Sequence, residues 1–241
     1  MPSCGFIDPA RNYIFNMETG MPEERSETEE LLQRAGLGDS QALGVLFSRH
    51  AERLRRMVRM RMDRRLQGRL DASDVLQDAY LQFSRSLQDY LRNPNMPFFL
   101  WLRLITGRKL HALHRHHLGT KIRAVGLEVS LHGGAFPQVS SVSLAAQLLG
   151  HYTSPSDVAM RAELQAQVQE ALNGMSLLDR EVLSLRHFEQ LSNSEAAYVL
   201  GISEAAASNR FVRALKRMKA LLTAEPGGVD NVPGSNDSAP S

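Results

Sequence analysis

The densest run of recognition chemistry in this sequence lies between Leu191 and Leu222. Glu204, Ser208, Asn209, Val212 and Arg213 fall at helical spacing on one face, with Arg210, Lys216, Arg217 and Lys219 beside or beyond them. Small and amide side chains early in a helix reach base edges in the DNA major groove, and basic ones further along neutralise phosphates. This is chemistry of grip and readout, not of bond cleavage. The elements that must position it are legible next to it. Ser192 and Glu195 have the spacing of a capping box at the start of one short helix, and Gly201 stands where a left-handed C-terminal cap is needed. Ile202 plugs the corner, and Ser203 caps the second helix. That helix carries an inner stripe of Ala207, Phe211, Ala214 or Leu215, and Met218. The arrangement reads as a helix-turn-helix.

A second group is of opposite character. Asp74, Gln77 and Asp78 share one helical surface, away from the apolar stripe of Val75, Leu76, Ala79, Tyr80, Phe83 and Leu87. Around it the chain is cationic, with Arg53, Arg55, Arg56, Arg59, Arg61, Arg64, Arg65 and Arg69 expected on the solvent side of the preceding helix. An acidic and amide patch on a basic unit suits a cationic protein partner better than DNA. A third group surrounds the double break Asn93-Pro94-Asn95-Met96-Pro97. Asn93, Asn95 and Met96 are pocket candidates for an unpaired base, and Arg108, Lys109, His111, His114 and Arg115 on the next helix are placed to follow a phosphate backbone.

Other chemistry is not expected. The histidines at 111, 114, 116 and 117 have no nearby cysteine or acid to complete a metal site. The single cysteine, Cys4, has no partner thiol. Gly119-Thr-Lys121 lacks the spacing of a phosphate loop, and no nucleophile–base constellation stands out. No cofactor is implied, and no enzyme.

The 241 residues are 43% hydrophobic, enough for a core, and the net charge of +2 hides strong segregation of sign. No apolar run is long enough to span a bilayer and no signal peptide is evident, so a cytoplasmic protein is expected. The pattern is all-α: two small helical units joined by a linker. Residues 1–27 read as a flexible acidic extension, 28–118 as the first unit and 119–156 as the linker, with one short helix around Leu144 to Leu149. Residues 157–223 form the helix-turn-helix unit, and 224–241 a disordered tail. Ser40 is the expected cap of the helix that bears the arginines, and Asp71 or Ser73 that of the next.

Taken in order, three stretches resemble the extracytoplasmic-function group of bacterial RNA polymerase sigma factors. Asp71-Ala-Ser-Asp-Val-Leu-Gln-Asp-Ala-Tyr-Leu-Gln-Phe83 resembles that family's polymerase-binding helix. Phe98-Phe-Leu-Trp-Leu-Arg-Leu-Ile105 resembles its promoter-melting helix, and Leu178-Asp-Arg-Glu-Val-Leu183 with the helix-turn-helix resembles its minus-thirty-five reader. The resemblance spans roughly Glu29 to Leu118 and Ser156 to Leu222. It implies that Asp74, Gln77 and Asp78 meet the clamp helices of the polymerase's largest subunit. It also implies that the first unit captures the melted minus-ten strand, that Trp101 is a core anchor, and that an anti-sigma protein sequesters the factor. The paired tryptophans of housekeeping relatives are absent, with Leu104-Ile105 near that position, so base capture outweighs an aromatic wedge. The family's recognition helix has a basic residue where Ser208 stands and a serine where Asn209 stands, so the DNA sequence cannot be borrowed from relatives. Two alternatives remain at this point: a helix-turn-helix regulator that acts without replacing sigma, and a polymerase-binding inhibitor.

Overall fold

The computed structural model describes residues 22–66, 68–118, 137–149 and 158–223. The acidic stretch before Pro22, most of the expected linker and the tail after Thr223 lie outside the described residues, as does Cys4. Among the described residues the regular structure is entirely helical. No helix there is long and apolar enough to cross a membrane.

Helix α1 spans Pro22–Gly36 and α2 spans Ser40–Arg61. Between them Gly38 takes a φ of +95°, a conformation that favours glycine. The cap of α2 is Asp39, whose carboxylate accepts the N–H groups of Gln41 at 2.9 Å and Ala42 at 3.0 Å. Ser40, the expected cap, is instead the first helical residue; the aspartate one position earlier satisfies two open amides and gains an ion pair with Arg34. Helix α3, Ala72–Arg92, opens with a reciprocal capping box between Asp71 and Asp74. It ends at Asn93, immediately before Pro94, and α4 runs from Phe98 to Leu118.

The apolar stripes of these helices meet in a shared core. Leu46 and Leu54 of α2, Phe83 and Leu87 of α3, and Phe98 and Leu102 of α4 are all buried. Phe83 is the hub, its ring 5.8 Å from Phe47, 6.0 Å from Phe98 and 5.9 Å from Trp101. Trp101 stacks on Tyr90 at 4.4 Å, so the indole packs against the core while remaining half-buried at its edge.

Helix α5, Ser141–Leu149, covers the short helix expected inside the linker. It packs on α6, Val158–Asn173, and touches α2. Helix α7, Leu177–Leu183, widens into a π-helical turn over Ser184–Phe188. That turn delivers Glu189 and Gln190, the latter at a φ of +56°, rare for a residue with a side chain. Arg53 of α2 donates to the carbonyls of both, at 3.2 Å and 3.0 Å, which holds the bend against α2. Helices α8, Asn193–Leu200, and α9, Glu204–Thr223, are the last of the described residues.

His50 adds a pH dependence to this core. Its ring lies between Phe98 and Phe99, and its Nε2 has no hydrogen-bond partner among the described residues. Burial first, then Arg53 and Arg49, push its pKa down from 6.5 to about 4. A folded-state pKa below the unfolded one gives stability that is complete above pH 6.5 and lost as pH falls toward 4. Urea unfolding is expected to show a loss of about 2 kcal/mol between pH 7 and pH 5, and His50→Gln should flatten most of that slope. An unchanged slope in the variant would remove His50 as the cause.

Candidate nucleic-acid interface

The α8–α9 pair is built from its caps. Ser192 Oγ accepts the Glu195 N–H at 3.0 Å, while Glu195 Oε2 accepts the Ser192 N–H at 2.7 Å. Gly201 takes a φ of +64° and ends α8. Its N–H donates to Tyr198 O, and that of Ile202 donates to Ala197 O. Ser203 Oγ accepts the Ala206 N–H at the start of α9. Ala207, Ala214 and Met218 face inward and Phe211 is half-buried; Leu215 is 43% exposed, so Ala214 takes the inner position. Glu204, Ser208, Asn209, Val212, Arg213, Lys216 and Arg217 are exposed on the outer side.

Two of the basic residues there already have a partner. Asp179 of α7 accepts from Arg210 at 2.9 Å and from Arg213 at 3.1 Å. Partial burial works against its charged form, but hydrogen bonds from Arg210, Ser176 and Arg213 outweigh it and hold the carboxyl below its usual range. A phosphate reaching these guanidiniums therefore competes with a carboxylate in place.

Around the breaker loop a cavity of about 670 Å³ opens between α3, α4 and α8. Asn93, Asn95, Met96 and Arg108 line it together, as do Tyr90, Trp101 and Arg103. Tyr90 donates its hydroxyl to Met96 O at 3.0 Å, tying the loop to α3. The remaining strand candidates on α4 lie elsewhere. Arg115 is exposed, and Lys109 and His111 are half-buried, but none of the three lines the cavity. His114 departs from its expected role: it is buried, and its Nε2 accepts the Asp63 N–H at 3.3 Å. Burial pushes its pKa down, so a phosphate-facing imidazolium is not what this position provides. Asp74, Gln77 and Asp78 are all exposed on one side of α3, although Asp74 also spends Oδ2 on the Asp71 N–H.

Sequence reasoning missed an arginine–glutamate cluster. Arg61 was expected on the cationic solvent side of α2 but is 4% exposed, and Arg103 of α4 is 2% exposed. Arg61 Nη2 lies 2.7 Å from Glu181 Oε2 and 2.8 Å from Glu189 Oε1, and Arg103 Nε lies 2.6 Å from Glu189 Oε2. Burial alone would raise the Glu189 pKa, but Arg103 and Arg61 hold it at about 2. The available signal was Arg103 itself, a lone charge in the apolar run Phe98 to Ile105, since buried charges are paired. Tyr90 and Tyr198 were also missed as cavity residues. Among the described residues, no three His, Cys, Asp or Glu side chains converge as metal ligands do.

Comparison with known proteins places the chain among transcription initiation factors. Residues 165–218 match the family Sigma-70, region 4. The RNA polymerase sigma factor CnrH of Cupriavidus metallidurans is 31% identical over 196 residues, covering 81% of this chain and 94% of that protein. The sigma factor NccH of Alcaligenes xylosoxydans is 29% identical over 82% of this chain and 95% of its own length. The ECF RNA polymerase sigma factor BldN of Streptomyces coelicolor is 25% identical over 80% of this chain and 65% of its own. A solved structure of CnrH in complex with the cytosolic domain of CnrY aligns with a TM-score of 0.48 at 26% identity, covering 83% of this chain and 99% of that one. With CnrH 31% identical along nearly its whole length and the region 4 match beside it, the chain belongs to the bacterial RNA polymerase sigma factors of the extracytoplasmic-function type.

Proposed function

We propose that the chain docks on core RNA polymerase through Asp74, Gln77 and Asp78, reads the minus-thirty-five duplex with α9, and captures the melted minus-ten strand beside the breaker loop. The observation that carries this is the cavity at Asn93, Asn95 and Met96, with a stacked Tyr90–Trp101 pair in its wall. An unpaired base needs such a concave site with an aromatic face, amide groups and nearby cations, and Arg108 supplies a cation. In this reading residues 28–118 and 157–223 act as separate functional units on the promoter. Ser208 and Asn209 give the reader its own preference, with Asn209 suited to a bidentate contact to adenine. The partners are core polymerase, promoter DNA in duplex and single-stranded form, and an anti-sigma protein that sequesters the factor.

The deciding experiment is reconstituted transcription. Core enzyme with the full chain is expected to start promoter-specific transcripts on genomic templates, while the chain without core binds promoters poorly. Specific duplex binding by the chain alone, without transcription, would favour a stand-alone regulator; core binding without transcripts would favour an inhibitor. In the same assay Arg213→Ala should weaken promoter binding by the holoenzyme across sequences and lower the salt-dependence slope by about 1, the signature of one lost phosphate contact. An unchanged slope would take Arg213 off the backbone.

A further inference from the structure

Two arginines of α9 share one carboxylate from another helix. Arg210 and Arg213 stand one turn apart, and both donate to Asp179 Oδ1, Arg210 through Nη1 at 2.9 Å and Arg213 through Nη2 at 3.1 Å. Asp179 lies in the first turn of α7, where Ser176 Oγ accepts its N–H at 3.2 Å. Leu183 of α7 packs in one apolar cluster with Ala214 and Met218 of α9, so the carboxylate is fixed relative to the helix whose arginines it holds. The acid itself is set back: its side chain is 13% exposed, against 62% for that of Arg213. Each guanidinium gives one N–H donor to the carboxylate and keeps the others of its fork for a ligand.

This pairing has two opposed consequences. It lowers the charge that the two arginines present, because one carboxylate cancels one of two guanidiniums. A lower charge displaces fewer counterions and weakens the grip on any duplex. It also restricts direction. An unpaired arginine swings to whichever phosphate is near, whereas one held by its fork offers its remaining donors along fixed lines. Phosphate contacts set the register of a helix in the groove, and base edges are read in that register. Ser208 and Asn209, next to Arg210, are both exposed where the register decides which bases they meet. A bare pair of arginines would serve affinity better, so the carboxylate is of use to discrimination.

We propose that Asp179 is a positioning residue for promoter choice: it aims Arg210 and Arg213 at particular phosphates, lowering general DNA affinity and raising sequence discrimination. The proposal rests on the reading of α9 given above and deepens it, because Asp179 acts through the two arginines and touches no base itself.

The test uses holoenzyme assembled from core polymerase and the full chain. Its two probes are a promoter fragment recovered from the transcripts of genomic templates and the same fragment with the minus-thirty-five segment scrambled. Asp179→Asn should bind the scrambled fragment about fivefold tighter, with a salt-dependence slope steeper by about 1, while the promoter-to-scrambled affinity ratio falls by about fivefold or more. A merely structural role would weaken binding to both fragments together. Arg210→Lys keeps the charge but not the fork, so it should leave the slope unchanged and still lower the ratio; this arm decides the matter if Asp179→Asn does not fold. An unchanged ratio in either folded variant, or weaker binding of folded Asp179→Asn to both fragments, would overturn the proposal. The parent alone tests the reading beneath it: equal affinity for the two fragments would remove α9 as the minus-thirty-five reader, and the role of Asp179 with it.

Discussion

Phe83→Ala should cost about 3–5 kcal/mol of folding stability, read as a shift in the urea midpoint with little change in slope. The side chain is fully buried, and no smaller residue keeps its ring contacts with Phe47, Phe98 and Trp101. The loss combines the transfer term for a buried aromatic with the cavity left between three helices. Trp101 lines the cavity beside the breaker loop, and Phe83 packs against its ring. Fluorescence of Trp101, the single tryptophan in the chain, should shift in the folded variant. A midpoint change equivalent to less than about 1 kcal/mol would mean that the core repacks around the gap.

Gln77→Ala/Asp78→Ala should leave the fold intact and abolish most core-dependent transcription. Both side chains are exposed and away from the apolar stripe of α3, so the stability change should stay within about 0.5 kcal/mol. Promoter-specific transcripts should fall by about tenfold or more, since losing 1.4 kcal/mol at a docking surface is already a factor of ten. Asp74 is the less clean probe, because its carboxylate closes the capping box with Asp71 and its removal also costs about 1 kcal/mol of helix stability. Full transcription from the double variant would move the polymerase contact off this face.

Local chemistry was what the sequence could convey. The capping box of α8, the left-handed Gly201 and the Ser203 cap all stand within a few residues of the groups they satisfy, so spacing alone was enough to find them. The apolar stripe of α3 was legible for the same reason. The cap of α2 fell one residue from the expected position because Asp39 and Ser40 are both competent, and only the fold chooses between them. Arg61 could not be read at all. It sits among arginines that do face solvent, and its carboxylate partners lie more than a hundred residues away, where periodicity carries no information. His114 shares helical spacing with exposed neighbours, and its burial depends on the turn after α2 that offers it the Asp63 amide.

The buried Arg61–Arg103–Glu181–Glu189 cluster also bears on how freely such a protein can exchange parts. Any graft junction between Leu118 and Pro137 leaves Arg61 and Arg103 on one side and Glu181 and Glu189 on the other. A hybrid that takes its C-terminal helices from a cousin lacking the two glutamates would inherit arginines with nowhere to go when its halves meet. Modularity in this chain is therefore conditional: a donor half must bring the matching charges, or the recipient must give up its own.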